Sequence, residues 1–144
     1  MSSPPREPLA RAIREWPGGD RLFRPGRSDL GETQLGAADE VVAKLARVGY
    51  ELAEPSDRRP EAALTQTDLE RLAELEHERW CEEKLALGYR LHPGQADDAV
   101  RTHPSLVPYL RLTEDEKEKD RVRVVQIPRL VRAAGLKIVR PGAR

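Results

Sequence analysis

Three histidines and one cysteine are the side chains in this 144-residue sequence best suited to ligate a metal or attack a substrate. His77 and Cys81 stand four residues apart, a spacing that puts both on one face of a helix. His92 or His103 could complete a tetrahedral zinc set around them, or His77 could serve as base to a Cys81 thiolate. The wider pattern argues against both chemistries. There is no Cys-x-x-Cys or His-Glu-x-x-His pair, His92 and His103 each precede a proline, and Gly-rich phosphate loops and nucleophile elbows are missing. The sequence therefore predicts no metal site, no cofactor and no catalytic residue.

A second group is more suggestive of binding. At 100° per residue, Leu69, Ala73, Trp80 and Leu87 form one stripe of a long helix, and Glu76 falls inside it, about 40° from Trp80. A carboxylate on an apolar face needs a charge partner or hydrogen bonds. Two readings stay open. Glu76 is scaffolding, bonded to an indole, a backbone donor or an arginine of the C-terminal segment. Alternatively Glu76, Trp80 and Lys84 line a pocket, with an aromatic face for stacking and charges for specificity.

The elements that must position these residues are mostly helical. Residues 1–8 read as a flexible N-terminus, Leu9–Trp16 as a short helix, and 17–36 as irregular. Ala37–Val48 is a helix stopped at Gly49, followed by a short extended piece, and the polar stretch 57–66 is a linker. The long helix runs from Asp68 to Leu87, with Thr67 as its N-cap and Glu70 closing a capping box. Residues 89–112 form a Pro-braced connection. A last helix begins after Thr113, kinks or restarts at Pro128 and stops at Gly135, before a strand over Leu136–Val139. A shift of 86 residues places Val41 on Ile127, Leu45 on Val131, Gly49 on Gly135, Leu52 on Ile138 and Pro55 on Pro141, which suggests two related halves.

Composition bounds the partners. The 25 basic and 25 acidic residues cancel, which argues against nucleic acid or an anionic membrane as partner. The charge is nonetheless uneven: −6 over residues 61–83 and +7 over residues 121–144. Either the two segments neutralise each other or the basic one receives an anionic ligand. The lone cysteine, the absence of a long apolar run and an N-terminus unlike a signal peptide point to a cytoplasmic protein.

Glu76-His77-Glu78-Arg79-Trp80, then Lys84, Gly88-Tyr89, His103-Pro104-Ser105-Leu106-Val107-Pro108-Tyr109, and Glu116-Lys117 with Asp120 together resemble the ryanodine receptor domain, the RyR repeat. Its pattern pairs E-H-x-x-W with G-W, H-P-x-L-V-P-Y and E-K-x-x-x-D in that order. The usual G-W-x-Y-G is replaced by Gly88-Tyr89-Arg90-Leu91-His92. Leu30-Gly31-Glu32-Thr33-Gln34, Ala38-Asp39 and Lys44-Leu45 are similar to the end of a first copy, here shortened, as in bacterial relatives of the family.

The resemblance implies a mainly α fold with short β-strands, compact and pseudo-duplicated, with a degenerate half over 9–56 and a full repeat over 67–141. It implies no catalysis. In the giant calcium-release channels a tandem pair of repeats resembles a regulatory module that holds adenine nucleotide against tryptophans, and in bacteria the domain occurs beside signalling domains. The expected function is non-enzymatic binding of a nucleotide or other small anionic ligand, with Glu76, His77, Trp80, Lys84, Tyr89, Arg90, His103 and Tyr109 as candidate binding residues. The alternative is a module that docks a protein partner or forms a homodimer.

Overall fold

The computed structural model describes residues 6–17 and 33–142. Helix α1 spans Arg6–Glu15 and α2 spans Thr33–Arg47. They pack through Leu9, Ile13, Ala38, Val41 and Leu45, all buried. Helix α1 thus starts earlier than expected, taking in Arg6, Glu7 and Pro8 of the segment read as flexible. Proline is tolerated in a first turn, where its missing donor is not needed, and Arg6 is anchored to Asp39 at 2.9 Å. Helix α2 likewise begins within the stretch read as irregular; residues 18–32 lie outside the described residues.

Strand β1 (Glu51–Ala53) pairs antiparallel with β4 (Lys137–Val139), Leu52 standing opposite Ile138. Between them run α3 (Gln66–Ala86), β2 (Arg90–Leu91), β3 (Thr102–His103), a 3-10 turn at Tyr109–Arg111, α4 (Glu114–Val124) and α5 (Ile127–Ala133). The short β2 and β3 pair in parallel. Among the described residues no helix is long and apolar enough to cross a membrane.

The 86-residue echo has a geometric counterpart. The amide of Tyr50 donates to the Leu45 carbonyl and that of Gly49 to Ala46; Leu136 donates to Val131 and Gly135 to Arg132. Both glycines hold left-handed backbone, φ +92° and +76°, as this type of helix stop requires. Each helix then turns into a strand, and the two strands pair with each other at echo-related residues Leu52 and Ile138.

Two details of α3 depart from expectation. Its N-cap is Thr65, not Thr67: Thr65 Oγ1 accepts from the Asp68 amide and Asp68 Oδ2 from the Thr65 amide, each at 3.0 Å. The Thr67–Glu70 pair has the right spacing, but Glu70 is bound elsewhere, by Tyr109 and Arg121. The buried face is also rotated. It is centred on Leu72, Leu75, Glu76 and Arg79, while Leu87 is 48% exposed and Trp80 half-buried. The apolar stripe misled because this face buries charged side chains that a hydrophobic count assigns to solvent. At the other end of the chain, α4 ends at Val124 and α5 restarts with Pro128 in its first turn, the restart expected of a proline there.

Candidate functional site

Helix α3 has polar chemistry on two opposite sides. On the side facing α2, both Glu76 carboxylate oxygens accept from Arg79 Nε, at 2.8 and 3.0 Å, and one lies 3.3 Å from Lys44 Nζ; Arg79 reaches Glu83 at 3.0 Å. Burial pushes the Glu76 carboxyl upward, but Lys44 and Arg79 outweigh it and hold the group below its usual range. Its partners are thus a lysine of α2 and its own neighbour, rather than an indole or a C-terminal arginine. A groove of about 460 Å³ lies along this side. Its three cations are already paired: Lys44 with Glu76, Arg47 with Glu78, and Arg79 with Glu76 and Glu83.

The other side of α3 faces β3 and α4 across a cleft of about 150 Å³. His77 and Trp80 supply its α3 wall, and His103 and Ser105 come from β3 and the turn after it. Glu116, Lys119, Asp120 and Arg123 supply the α4 wall. The Trp80 ring stacks on His77 at 5.6 Å and meets the His103 ring edge-on at 4.8 Å. Lys84 bridges two aromatic faces, its ammonium 6.0 Å from the Trp80 centroid and 4.5 Å from that of Tyr89. The Tyr89 hydroxyl donates to Asp98 at 2.7 Å.

Hydrogen bonds fix the histidine tautomers. His77 Nε2 lies 2.7 Å from the Val107 carbonyl, which can only accept, so Nε2 carries the proton. Nδ1 then faces Asp120, 3.7 Å away. His103 Nδ1 accepts from the Ser105 amide at 3.0 Å, leaving its proton on Nε2, and burial holds this imidazole below its ordinary pKa.

These assignments disarm the thiol chemistry. Cys81 Sγ is 3.3 Å from His77 Nε2, but that nitrogen already bears a proton directed at Val107 and cannot take another from sulfur. Burial, with help from Asp120, Glu78 and Glu82, pushes the thiol up to about 11, the reverse of what a nucleophile needs. Among the described residues no group of three or more His, Cys, Asp or Glu side chains is arranged to hold a metal ion. His92 lies exposed in the loop after β2, its Nδ1 accepting from the Gly94 amide.

Of the eight candidate binding residues, His77, Trp80 and His103 line the cleft, and Lys84 and Tyr89 stand beside Trp80. Tyr109 lies behind His77, its ring 6.2 Å away and its hydroxyl donated to Glu70, which also binds Arg121. Arg90 is exposed on β2. Glu76 does not line the cleft. Sequence reasoning missed Glu116, Lys119, Asp120 and Arg123. The signal was present, since Glu116, Asp120 and Arg123 recur at the 3.6-residue period and make one polar stripe on α4.

Among the described residues the salt bridges between the two oppositely charged segments are Arg121 with Glu70 and Arg132 with Glu61. Most of the acidic helix is balanced by Arg71 and Arg79 on the helix itself and by Lys44 and Arg47 of α2. Lys137 is spent on the carbonyls of Asp57 and Arg59, and Arg140 on the Tyr50 hydroxyl. Arg123 forms no salt bridge among the described residues and remains in the cleft wall.

The family model of the RyR domain matches residues 62–140, more than half of the chain and the whole of this cleft. No curated protein matches it.

Proposed function

This chain belongs to the RyR domain family, and from that premise we propose that it is a non-enzymatic binding module for a nucleotide or other small anionic ligand, received at the Trp80 cleft. The observation that carries the reading is the combination, in one cleft, of the Trp80 and His103 rings with Lys119 and Arg123, beside Lys84 and Tyr89. Aromatic faces with adjacent cations suit a base and its phosphates. At about 150 Å³ the cleft encloses one ring or one phosphate-sized group, so the rest of a nucleotide lies outside, along Lys84 and Tyr89.

Support for a non-catalytic role comes from the silenced Cys81–His77 pair and from the family itself. The paired helix stops and the Leu52–Ile138 register support reading residues 33–56 as the end of a shortened first copy, as in bacterial relatives. The cytoplasm is the compartment proposed, on the strength of the single free cysteine.

Calorimetry of the protein with AMP, ADP and ATP tests the reading. Dissociation constants below about 1 mM are expected, and binding no tighter than that for all three would overturn it. In that event the docking alternative takes over. It is favoured by Leu85, Leu87, Leu91 and Val100, large apolar side chains left exposed around the end of α3 and the loop after it.

A further inference from the structure

We propose that Arg123 is the anion-receiving residue of the Trp80 cleft, and that Asp120, one turn earlier on α4, sets the protonation state in which an anion is accepted. The inference deepens the binding reading above and rests on the same cleft being the site. Arg123 is a half-buried guanidinium in the cleft wall and forms no salt bridge among the described residues. The neighbouring cation of that wall, Lys119, is held by Glu116 at 3.1 Å, and Glu116 in turn accepts from Ser105. Arg123 is therefore the cation with donors to offer, in a planar fork suited to a phosphate or carboxylate.

Asp120 opposes it. Its carboxyl is buried in the same α4 wall, against His77 of α3. Glu76, Arg79 and Cys81 approach it from the same helix, and Arg123 from its own. Burial is the main cause that lifts this carboxyl to about 6; Glu76 adds to the effect, and His77, Arg123 and Arg79 oppose it. Across the cleft, burial lowers the His103 imidazole from its ordinary pKa, and the hydrogen bond from Lys119 lowers the Glu116 carboxyl. At pH 7.5 Asp120 is thus a carboxylate that repels an entering anion and offsets the charge of Arg123. Below about 6 it is neutral and can donate a hydrogen bond to the anion.

Sulfate keeps a constant charge across this range, so it is the probe, titrated by NMR while the Trp80 indole N–H is followed at pH 5 and pH 7.5. Wild-type protein should bind sulfate roughly tenfold tighter at pH 5. Asp120→Asn should bind at pH 7.5 as tightly as wild type does at pH 5, with most of the pH dependence gone. Arg123→Gln should weaken binding at both pH values, and Arg123→Lys should restore part of it. Circular dichroism and the dispersion of the same NMR spectra show whether each variant is folded, and the lysine variant keeps the charge if the glutamine variant is not.

PH dependence that persists in Asp120→Asn would assign the effect to the histidines and overturn the proposal, as would wild-type affinity in Arg123→Gln or no response to sulfate. Nucleotide binding that survives both substitutions unchanged would sink this inference and leave the module reading intact. Sulfate binding with the expected pattern, but no nucleotide binding, would do the opposite.

Discussion

Lys44 and Glu76 meet inside the protein, the ammonium nitrogen 3.3 Å from a carboxylate oxygen with the two side chains only 9% and 1% exposed. The contact ties α2, outside the span matched by the family model, to the middle of α3 within it. With Arg79 completing the cluster, two cations depend on one carboxylate.

Glu76→Ala should therefore cost about 3–5 kcal/mol, because it strands two buried cations. Urea denaturation checks the figure. Sulfate affinity at pH 7.5, where Asp120 is already ionised, should hardly move in the folded fraction, since Glu76 does not line the cleft. The rise in affinity on acidification should shift to lower pH, because Glu76 helps to raise the Asp120 carboxyl.

The helix start can be tested directly. Thr65→Ala removes the hydroxyl that accepts from the Asp68 amide and should cost about 1 kcal/mol, whereas Thr67→Ala should change little. Thermal melts of the two variants distinguish the two cap positions.

Cys81 should be a sluggish thiol. With its pKa pushed up to about 11, alkylation at pH 8 should run on the order of tenfold or more slower than that of free cysteine. Mass spectrometry of iodoacetamide-treated protein gives the rate, and labelling as fast as free cysteine would contradict the assigned environment.

Asp120 also leaves a mark on stability. Its folded-state pKa, about 6, is raised above the ordinary 3.8, so the folded protein binds the extra proton. Its contribution is most favourable below about 4, declines as pH rises through the interval to about 6, and is flat above. Glu70 and Glu116 are shifted downward and act in the opposite sense, so the test is the difference between wild type and Asp120→Asn. Wild-type stability should fall relative to the variant as pH rises across that window.

Much of this arrangement is legible in the residues alone. Helix stops at Gly49 and Gly135, the restart at Pro128 and the Leu52–Ile138 equivalence follow from local rules about φ, missing donors and spacing. The oddity of Glu76 is visible from its place on the stripe. Its partners are not, because Lys44 comes from a helix whose approach is decided by packing far from it in sequence. The α4 wall of the cleft escaped for a related reason: Glu116, Asp120 and Arg123 look like an ordinary solvated stripe until β3 and α3 close over it. The Thr65 cap illustrates competition, since two Thr-x-x-acid pairs overlap and only the tertiary contacts of Glu70 decide between them.

The central claim, that the Trp80 cleft receives a nucleotide or similar anion, is tested most directly by fluorescence of Trp80 itself. The other indole, Trp16, donates to Gln126, the residue before α5, and Trp16→Phe leaves Trp80 as the single reporter. Titration of that variant with ADP should change Trp80 emission along a saturating curve with a midpoint below about 1 mM. Emission unchanged through that range would contradict the account.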